Sequence, residues 1–355
     1  MQKILVIQNK RIGDVLLASV IAQNMKQVYP DSLIDFLVYD YTVGVIENNP
    51  NINEIIVVND KKLKRIHNLI KLIRKIRKRQ YDIIFDPYAK LQSRAICRFS
   101  GAKMRIGYKK EHEQKTTPFY THSVQFLKEK SHICGKAIQD RINLVTSFFK
   151  VPSIDYEPKI HLTSLENEYD KLQSYSKPVL MLGVLGSTPQ KSMPYQYVTD
   201  LVNFITSNYD VNVLFNYSPH QKNDALDIYN QCENKEKIIV DIYEPSIRGF
   251  ITLMNKCKLL VANEGGTVHI SKALGKPTFT IFSPYVLKDS WASFEDGKIH
   301  TSIHLLDEKP DLFSTKREDR RKIEEDPSFL YQQLTPELII PKLKNFLDYH
   351  LNNHS

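Results

Sequence analysis

A carboxylate lies near the start of the chain, where a predicted strand meets a predicted helix. Asp14 follows the strand Lys3 to Gln8 and a turn that contains Lys10, Arg11 and Gly13. At the carboxyl edge of a sheet, such a carboxylate can favourably charge the helix N-terminus or act as a general base facing a ligand. The residues alone leave both interpretations open. Because the turn has one glycine, it lacks the three-glycine fingerprint of dinucleotide-binding proteins.

A second group of candidate residues follows a predicted strand that ends at Leu185. The loop after it contains Ser187, Thr188 and Lys191. Hydroxyl and main-chain N–H groups in such a loop can donate hydrogen bonds to a phosphate, and a lysine can reach the phosphate as a point charge. The spacing differs from that of a P-loop, and the same composition is also common in surface turns.

A third candidate group, Glu264, Gly265 and Gly266, lies between a predicted strand and a predicted helix. Two glycines let the backbone approach a ligand closely, and the first N–H groups of the helix can bind a diphosphate. A carboxylate would repel that phosphate, so we expect Glu264 to accept hydrogen bonds from sugar hydroxyls. Thr267 lies in the same turn. His269 follows one turn into the helix, where a partly buried histidine with a structural partner is also common.

All three groups fall at strand-to-helix turns, because short β-rich segments alternate with amphipathic segments along the chain. The alternation predicts βαβ units and a parallel sheet in each half, which is the α/β class with doubly wound domains. The predicted strands are residues 3–8, 33–39, 54–58, 82–86, 104–108, 179–185, 211–216, 237–241, 258–262 and 278–282. The predicted helices are residues 14–28, 62–79, 195–208, 221–232, 246–256 and 267–274, with a closing helix at 335–351.

A proline-containing segment without sustained periodicity separates the two halves. Pro152 and Pro158 lie within residues 151–177, which predicts a linker, and we place the domains at residues 1–165 and 166–355. Doubly wound domains bind ligands outside the carboxyl ends of their strands. We therefore expect the functional site to lie between the two domains.

The composition is that of a globular protein. The 355 residues are 42% apolar and 25% charged, which excludes a disordered chain, collagen and a coiled coil. No apolar run approaches the ~18 residues of a membrane span, and the apolar stretch at the start is too short for a secretory signal, so we expect a cytoplasmic protein. Neither disulfides nor a metal site are predicted from the four widely spaced cysteines, Cys97, Cys134, Cys232 and Cys257.

The positive charge is concentrated in one segment, residues 61–79. This segment holds ten Lys or Arg and no acid, whereas the whole chain has a net charge of +9, so the rest of the chain is close to neutral. Its apolar residues recur at helical spacing. The segment can be a solvated helix, a surface that docks on an anionic membrane, or a nucleic-acid contact. No recognised module or aromatic-interleaved basic stripe accompanies it, so we expect no nucleic-acid partner.

Four segments of the chain together resemble glycosyltransferase family 9, the heptosyltransferases, which are inverting enzymes. Members of this family transfer heptose from a nucleotide diphosphate sugar to the inner core of lipopolysaccharide. The resemblance extends over almost the whole chain, in the order and spacing of the four segments. The segments are KILVIQNKRIGD at 3–14, YDIIFDPYAKLQSRAICRFSGAKMRIG at 81–107, GSTPQKSMP at 186–194 and NEGGTVHISKALGKPTFTIFSP at 263–284.

The resemblance implies a GT-B fold, in which two Rossmann-like domains face each other across a cleft. It places the acceptor on domain 1–165 and the nucleotide sugar on domain 166–355. Asp14 matches the family's general base, and Lys191 matches the lysine that meets the donor phosphates. No metal and no other cofactor is implied. The implied donor-binding residues are Ser187, Thr188, Glu264, Gly265, Gly266, Thr267 and His269.

The acceptor is less constrained by the sequence. An acidic glycolipid would need cations on the first domain to meet its carboxylates and phosphates. Residues 108–132 lack a clear period, which is typical of a loop, and this loop could contact the acceptor. The candidate acceptor-binding residues are Lys10, Arg11, Gly13, Arg94 and Arg105, with Lys109 and Lys110 beside them.

Two departures from the family pattern leave the donor open. The family usually has Asp, then Thr or Ser, then Gly where this chain has Glu264 and two glycines, and Pro87 and Tyr88 follow Asp86 in place of Leu and Gln. We expect ADP-heptose as donor and a lipopolysaccharide core precursor as acceptor, at the inner membrane face. The alternatives are another nucleotide-sugar donor or acceptor, a sugar-nucleotide epimerase of similar architecture, and a non-catalytic membrane-associated binding protein.

Overall fold

Each half of the chain folds around one parallel sheet of six strands. The computed structural model describes residues 1–109, 118–186, 188, 191–313 and 328–352. The chain divides into two compact units, Met1–Thr163 and Ser164–Ser355. Parallel strands joined by helical crossovers in both units confirm the predicted α/β class with doubly wound topology.

The first unit has strands on both sides of its first strand. Its described strands are β1 Lys3–Ile7, β2 Leu33–Tyr39, β3 Glu54–Val58, β4 Ile83–Asp86, β5 Met104–Tyr108 and β6 His122–Val124. Its described α-helices are α1 Ile12–Val28, α2 Asp60–Leu63, α3 Ile66–Lys78, α4 Leu91–Phe99 and α5 Lys136–Thr146. The spatial order is β3-β2-β1-β4-β5-β6. Strands are therefore added on one side of β1 up to β3, and from β4 onwards they are added on the other side. This reversal is where doubly wound sheets bind ligands.

Helices cover both faces of this sheet, which explains why its inner strands are almost continuously apolar. In β1, Ile4, Leu5, Val6 and Ile7 are all buried. Leu5 and Ile7 belong to a cluster that includes residues of α3 and α4, whereas α1 packs against α5. Apolar runs of this kind are typical of parallel strands that are buried on both sides.

The predicted basic helix is instead two helices, α2 and α3. The main-chain N–H of Arg65 and the side-chain amide of Asn68 donate to the carbonyl of Lys62, at 3.2 and 2.8 Å. A continuous α-helix would need this carbonyl as the acceptor for the main-chain N–H four residues later, but the carbonyl is already bonded to these two donors. The apolar face of α3 packs into the unit through its buried residues, which are Leu69, Leu72 and Ile76.

The second unit repeats the doubly wound plan. Its described strands are β7 Val179–Gly183, β8 Asn212–Asn216, β9 Ile238–Ile239, β10 Leu259–Asn263, β11 Thr278–Ile281 and β12 His300–Ile303. Its described α-helices are α6 Ser164–Glu168, α7 Tyr195–Asn208, α8 Lys222–Gln231, α9 Ile247–Lys256, α10 Gly266–Ala273, α11 Lys288–Trp291, α12 Leu305–Glu308, α13 Ser328–Gln333 and α14 Pro336–Leu347. The spatial order β12-β11-β10-β7-β8-β9 places the switch point between β10 and β7.

The closing helix α14 begins as predicted. Thr335 is its N-cap and Pro336 its first residue, where the missing N–H of proline costs no helical hydrogen bond. Phe346 packs on Phe279 of β11, with ring centroids 5.8 Å apart. The C-terminal helix is thus part of the core of the second unit.

The sequence pattern does not predict β6 and β12, and both are edge strands. Each is short and buries only its last residue. An edge strand has one neighbour and a partly solvated surface, so it does not require the apolar run that identifies a central strand. Across the described parts of both units, no helix has the length and apolar content of a bilayer span.

Candidate functional site

In the first unit, Asp14 lies at the third residue of α1, directly after the switch-point strand β1. Its Oδ1 is 2.6 Å from Nη2 of Arg141, and its Oδ2 accepts a hydrogen bond from the main-chain N–H of Arg11 at 3.2 Å. The carboxylate therefore supports the helix N-terminus and forms an ion pair at the same time. These contacts fix its orientation and leave other oxygen lone pairs for a ligand hydroxyl.

Arg141, which the sequence analysis does not identify, reaches Asp14 from α5. Its side chain is 8% exposed, against 23% for Asp14. The Nη1 of Arg141 also donates to the carbonyl of Ala137 at 2.6 Å, one turn earlier in α5. The guanidinium is thus anchored on its own helix, and the carboxylate is the more accessible partner of the ion pair.

The predicted acceptor residues next to Asp14 belong to the turn between β1 and α1. Lys10 is half-buried, Arg11 is exposed and Gly13 is buried. The turn is held by the amide of Gln8, which donates to the carbonyl of Lys10 at 2.6 Å. Their position brings these three residues together with the Asp14 carboxylate.

Arg94 and Arg105 contact other residues of the first unit. Arg105 is the second residue of β5, far from the carboxyl end of that strand, and donates to the carbonyls of Ala102 and Phe119 at 2.8 and 3.2 Å. The Arg94 guanidinium lies 6.0 Å from the ring centroids of both Phe119 and Tyr120. Both side chains are therefore held against the segment that contains Phe119. Of the other cations, Lys109 follows β5 directly, and Lys110 lies outside the described residues.

Asp86, at the end of β4, is a second carboxylate of this unit and is fully buried. It accepts hydrogen bonds from the hydroxyl of Tyr120 at 2.7 Å and the N–H of Ala89 at 2.9 Å. Burial raises the pKa of Asp86 to about 6, although these donors oppose the shift. Its bonds link the end of the strand to the next loop, so its visible role is structural.

In the second unit, Lys191 and Glu264 form an ion pair in which the cation, not the anion, is the more exposed partner. Lys191 Nζ lies 3.0 Å from Glu264 Oε1, and the side chains are 20% and 6% exposed. The other carboxylate oxygen, Oε2, accepts from the N–H of Ser283 at 2.8 Å. Burial raises the pKa of Glu264, and the nearby Lys191 charge opposes that rise.

The main chain of Lys191 is held by two buried polar side chains. The amide Nδ2 of Asn263 and the hydroxyl of Tyr331 both donate to the Lys191 carbonyl at 2.9 Å. Asn263 also donates to the Tyr331 hydroxyl at 3.0 Å. Sequence reasoning does not identify Tyr331, because it lies 140 residues from Lys191 and no local pattern links them.

The loop between β7 and Lys191 requires glycine at Gly186. A Cβ atom there would lie 2.1 Å from the Lys191 carbonyl oxygen, which is far inside van der Waals contact. Thr188 is exposed, and its carbonyl accepts from the Lys191 N–H at 2.9 Å. The loop therefore folds back on Lys191. Ser187, the other predicted donor residue here, lies outside the described residues.

The predicted anion-binding turn lies at the start of α10. Gly265 precedes the helix and is exposed, with no atom within 4 Å of the position of a Cβ. Gly266 and Thr267 are half-buried, and their N–H groups belong to the helix N-terminus, which favours an anion. His269 is buried, with its ring 6.3 Å from that of Trp291. Glu264 immediately before the turn brings this helix start together with Lys191.

The two units thus offer complementary chemistry at the carboxyl ends of their strands. The first presents a carboxylate that can accept a proton, and the second presents an ammonium and a helix N-terminus that can stabilise a phosphate. Within the described residues, no three His, Cys, Asp or Glu side chains cluster as ligands of a metal ion.

Comparison with known proteins gives the same class. The fold is similar to that of a glycosyltransferase family 9 protein from Veillonella parvula, with a TM-score of 0.79, 17% identity, and 98% and 97% of the two chains covered. It is also similar to ADP-heptose lipopolysaccharide heptosyltransferase II of Escherichia coli, with a TM-score of 0.72, 17% identity and both chains fully covered. The protein therefore has the GT-B fold, with two Rossmann-like units.

Sequence comparison then gives the family. The model of glycosyltransferase family 9 (heptosyltransferase) matches residues 69–319, so the chain belongs to that family, as predicted. It is 27% identical to lipopolysaccharide heptosyltransferase 3 of Escherichia coli over 41% of this chain, and 21% identical to heptosyltransferase 2 of strain K12 over 79%. These two alignments span 44% of the length of heptosyltransferase 3 and 83% of the length of heptosyltransferase 2. A further alignment, with heptosyltransferase 3 of strain K12, spans 30% of that relative.

Proposed function

We propose that this protein transfers a sugar, with inversion, from a nucleotide diphosphate sugar to a lipopolysaccharide core or related glycolipid acceptor. ADP-heptose is the donor that the family relationship favours. The observation that carries the proposal is that the first unit presents an accessible carboxylate, Asp14, and that the second presents Lys191 and the α10 N-terminus. A base and a stabilised leaving group are what such a transfer needs.

In the proposed reaction, Asp14 takes the proton of an acceptor hydroxyl as that oxygen attacks the anomeric carbon. The bond from the anomeric carbon to the diphosphate oxygen breaks on the opposite face, so the nucleoside diphosphate leaves with the bonding electron pair. Lys191 and the N–H groups at the start of α10 stabilise the negative charge that develops on the diphosphate. Glu264 accepts hydrogen bonds from hydroxyls of the donor sugar.

No metal takes part in this mechanism, because the protein's own cations meet the leaving group. A direct test is transfer from ADP-heptose to a de-O-acylated core acceptor, measured by ADP release and by the mass of the product, with EDTA or with magnesium. We expect equal rates in both. A rate that depends on magnesium would contradict the metal-independent step, and ADP-heptose consumption without acceptor would favour an epimerase or hydrolase.

The nucleotide preference is tested separately by thermal unfolding with ADP, UDP, GDP or CMP. A ligand at ~100 times its Kd stabilises the folded state by roughly 2.7 kcal/mol, which raises the Tm by a few degrees. We expect ADP to stabilise the protein most. A selective response to another nucleotide would retain the glycosyltransferase and replace the donor, whereas no response to any nucleotide would favour a non-catalytic protein.

We also propose that the protein associates with the anionic membrane surface through the exposed face of α2 and α3. Ile66 and Ile70 lie one turn apart on α3 and are both exposed, among the exposed cations of the basic segment 61–79. Apolar side chains flanked by Lys and Arg favour the interface of an acidic bilayer, where each cation near the surface contributes ~1 kcal/mol.

Charge reversal tests this association on vesicles containing anionic phospholipid. The variant Arg74→Glu, Lys75→Glu and Lys78→Glu should reduce binding at low salt by about 100-fold or more. A control with the same net charge reverses three exposed lysines elsewhere, Lys150→Glu, Lys235→Glu and Lys258→Glu. Equal binding by the two variants would show that α3 is a solvated helix with no specific membrane role.

A further inference from the structure

An exposed aromatic ring lies beside the carboxyl edge of the first sheet. Phe126 is 53% exposed and stacks on Tyr108, with ring centroids 4.0 Å apart and planes 20° apart. Tyr108 is buried and is the last residue of β5. Because all strands of this sheet are parallel, the end of β5 lies at the same edge as the end of β1, which leads to Asp14.

Phe126 is held in place from the side of α5. The N–H of Leu127 donates to Oδ1 of Asp140 at 2.7 Å, and Oδ2 of Asp140 is 2.7 Å from Nζ of Lys136. That same Nζ lies 5.4 Å from the centroid of the Phe126 ring. A single exposed phenylalanine is ordinary on a protein surface. A ring that stacks on a buried tyrosine, beside a tethered lysine, and still remains 53% exposed is instead a pre-formed surface.

One helix connects this ring to the candidate base. Asp140 and Arg141 are consecutive residues of α5, and Lys136 lies one turn before them. Arg141 holds Asp14 at 2.6 Å, while Asp140 holds the Phe126 loop. The charges of Arg141 and Asp14 also act on the pKa of Tyr108, which burial raises. The ring and the carboxylate are therefore positioned by a common support.

We propose that Phe126 and Lys136 form a subsite for the acceptor, which binds a sugar ring that carries an acidic group. The uncovered part of the Phe126 ring packs against the C–H groups of the sugar, whose partial positive charge suits the negative face of an aromatic ring. The ammonium of Lys136 has three donors and uses one on Asp140, so it can donate another to a carboxylate or phosphate of the acceptor.

This inference rests on the proposed glycosyl transfer and names where its acceptor binds. It predicts that the subsite affects acceptor recognition alone. In Phe126→Ala, the KM for a de-O-acylated core acceptor should rise about tenfold, because one aromatic contact is lost. The KM for ADP-heptose should stay within about twofold of the wild-type value, and Phe126→Trp should restore most of the acceptor affinity.

A matched control is Phe99→Ala, since Phe99 is also 53% exposed but lies at the end of α4. It should leave both KM values unchanged. Lys136→Met should raise the acceptor KM and remove its preference for the acidic acceptor over a carboxyl-reduced form. An unchanged acceptor KM in Phe126→Ala, or an equal rise in Phe99→Ala, would overturn the subsite.

Acceptor binding without donor separates this proposal from the proposed function. Isothermal titration of the core fragment into wild-type protein and Phe126→Ala measures the subsite with no turnover. If the wild type binds the fragment but transfers no heptose, the proposed donor or reaction fails, and the subsite stands when Phe126→Ala binds about tenfold more weakly. If both proteins bind the fragment equally, the subsite fails whatever the turnover.

Discussion

The two units carry ion pairs at equivalent edges of their sheets, but they bury opposite partners. In the first unit, the cation Arg141 is 8% exposed and the anion Asp14 23%. In the second, the anion Glu264 is 6% exposed and the cation Lys191 20%. Each pair therefore presents to a ligand the charge that its proposed chemistry requires, a carboxylate for a proton and an ammonium for a phosphate.

The buried partner of each pair is anchored by the main chain. Arg141 donates to the carbonyl of Ala137, and Glu264 accepts from the N–H of Ser283. A charge that is removed from water is costly unless it is paired and hydrogen-bonded. The anchors meet that condition, so the accessible partner can exchange its contact for a ligand more readily than the buried one.

The largest effect is expected from removing the accessible anion. Asp14→Asn keeps the size of the side chain but cannot accept the acceptor proton, so transfer should fall by about 1,000-fold. The change in Tm on adding ADP should match that of the wild type, because ADP is proposed to bind the second unit. Retained turnover in a steady-state ADP-release assay would remove Asp14 as the base.

Removing the accessible cation should have the next largest effect. Lys191→Met should lower kcat by about 100-fold or more, as expected for the loss of one group that stabilises a developing negative charge. Lys191→Arg keeps the charge and should recover part of the rate. Single-turnover measurements with saturating donor would test this, and equal rates in the two variants would show that charge at this position does not matter.

Removing the buried cation should affect transfer less, because Arg141 positions the base without touching the substrate. Arg141→Met should reduce kcat by up to about 100-fold through misplacement of Asp14, with Arg141→Lys intermediate. Arg248→Met, which removes an ion pair with Glu166, controls for lost stability. Equal activity of Arg141→Met and this control would contradict the proposed role of Arg141 in positioning Asp14.

The smallest effect concerns the buried anion. Burial raises the folded-state pKa of Glu264, so the folded protein keeps a proton there that the unfolded chain, with an ordinary pKa of ~4.3, has lost. The free energy of unfolding should therefore fall as pH rises from that value through the folded-state pKa, and then level off. Urea denaturation across this range should show a shallower fall in Glu264→Gln. An unchanged pH dependence would contradict this account.

Local pattern predicts most of the fold because the central strands are buried on both faces. The central strands at 33–39 and 104–108 and the helix at 195–208 have the predicted bounds. The edge strand at 54–58 is also predicted, because its sequence EIIVV is apolar although it is partly exposed. β9 contracts to two residues, and the edge strands β6 and β12 are not predicted, since partial solvation removes the apolar run on which the prediction depends.

The candidate site likewise contains residues that the sequence predicts and residues that it does not. Asp14, Lys191 and the Glu264 turn lie between a strand and the next helix, so the pattern marks them as candidates and the family resemblance supplies their implied roles. Arg141 is 127 residues from its partner Asp14, and the Phe126 stack depends on where a loop returns to the sheet. Contacts of this kind arise from the packing of distant segments, and no periodicity or spacing in the sequence encodes them.

The hydroxyl of Tyr331 bonds to the carbonyl of Lys191 across 140 residues, and this separation has a consequence for synthesis. The chain is made from its N-terminus, so the first unit and most of the second leave the ribosome before Tyr331 does. The main chain of Lys191, the lysine proposed to meet the donor, can therefore form this hydrogen bond only after the segment around Tyr331 has been synthesised. A truncated product that ends before this tyrosine would contain both sheets yet lack a finished donor loop.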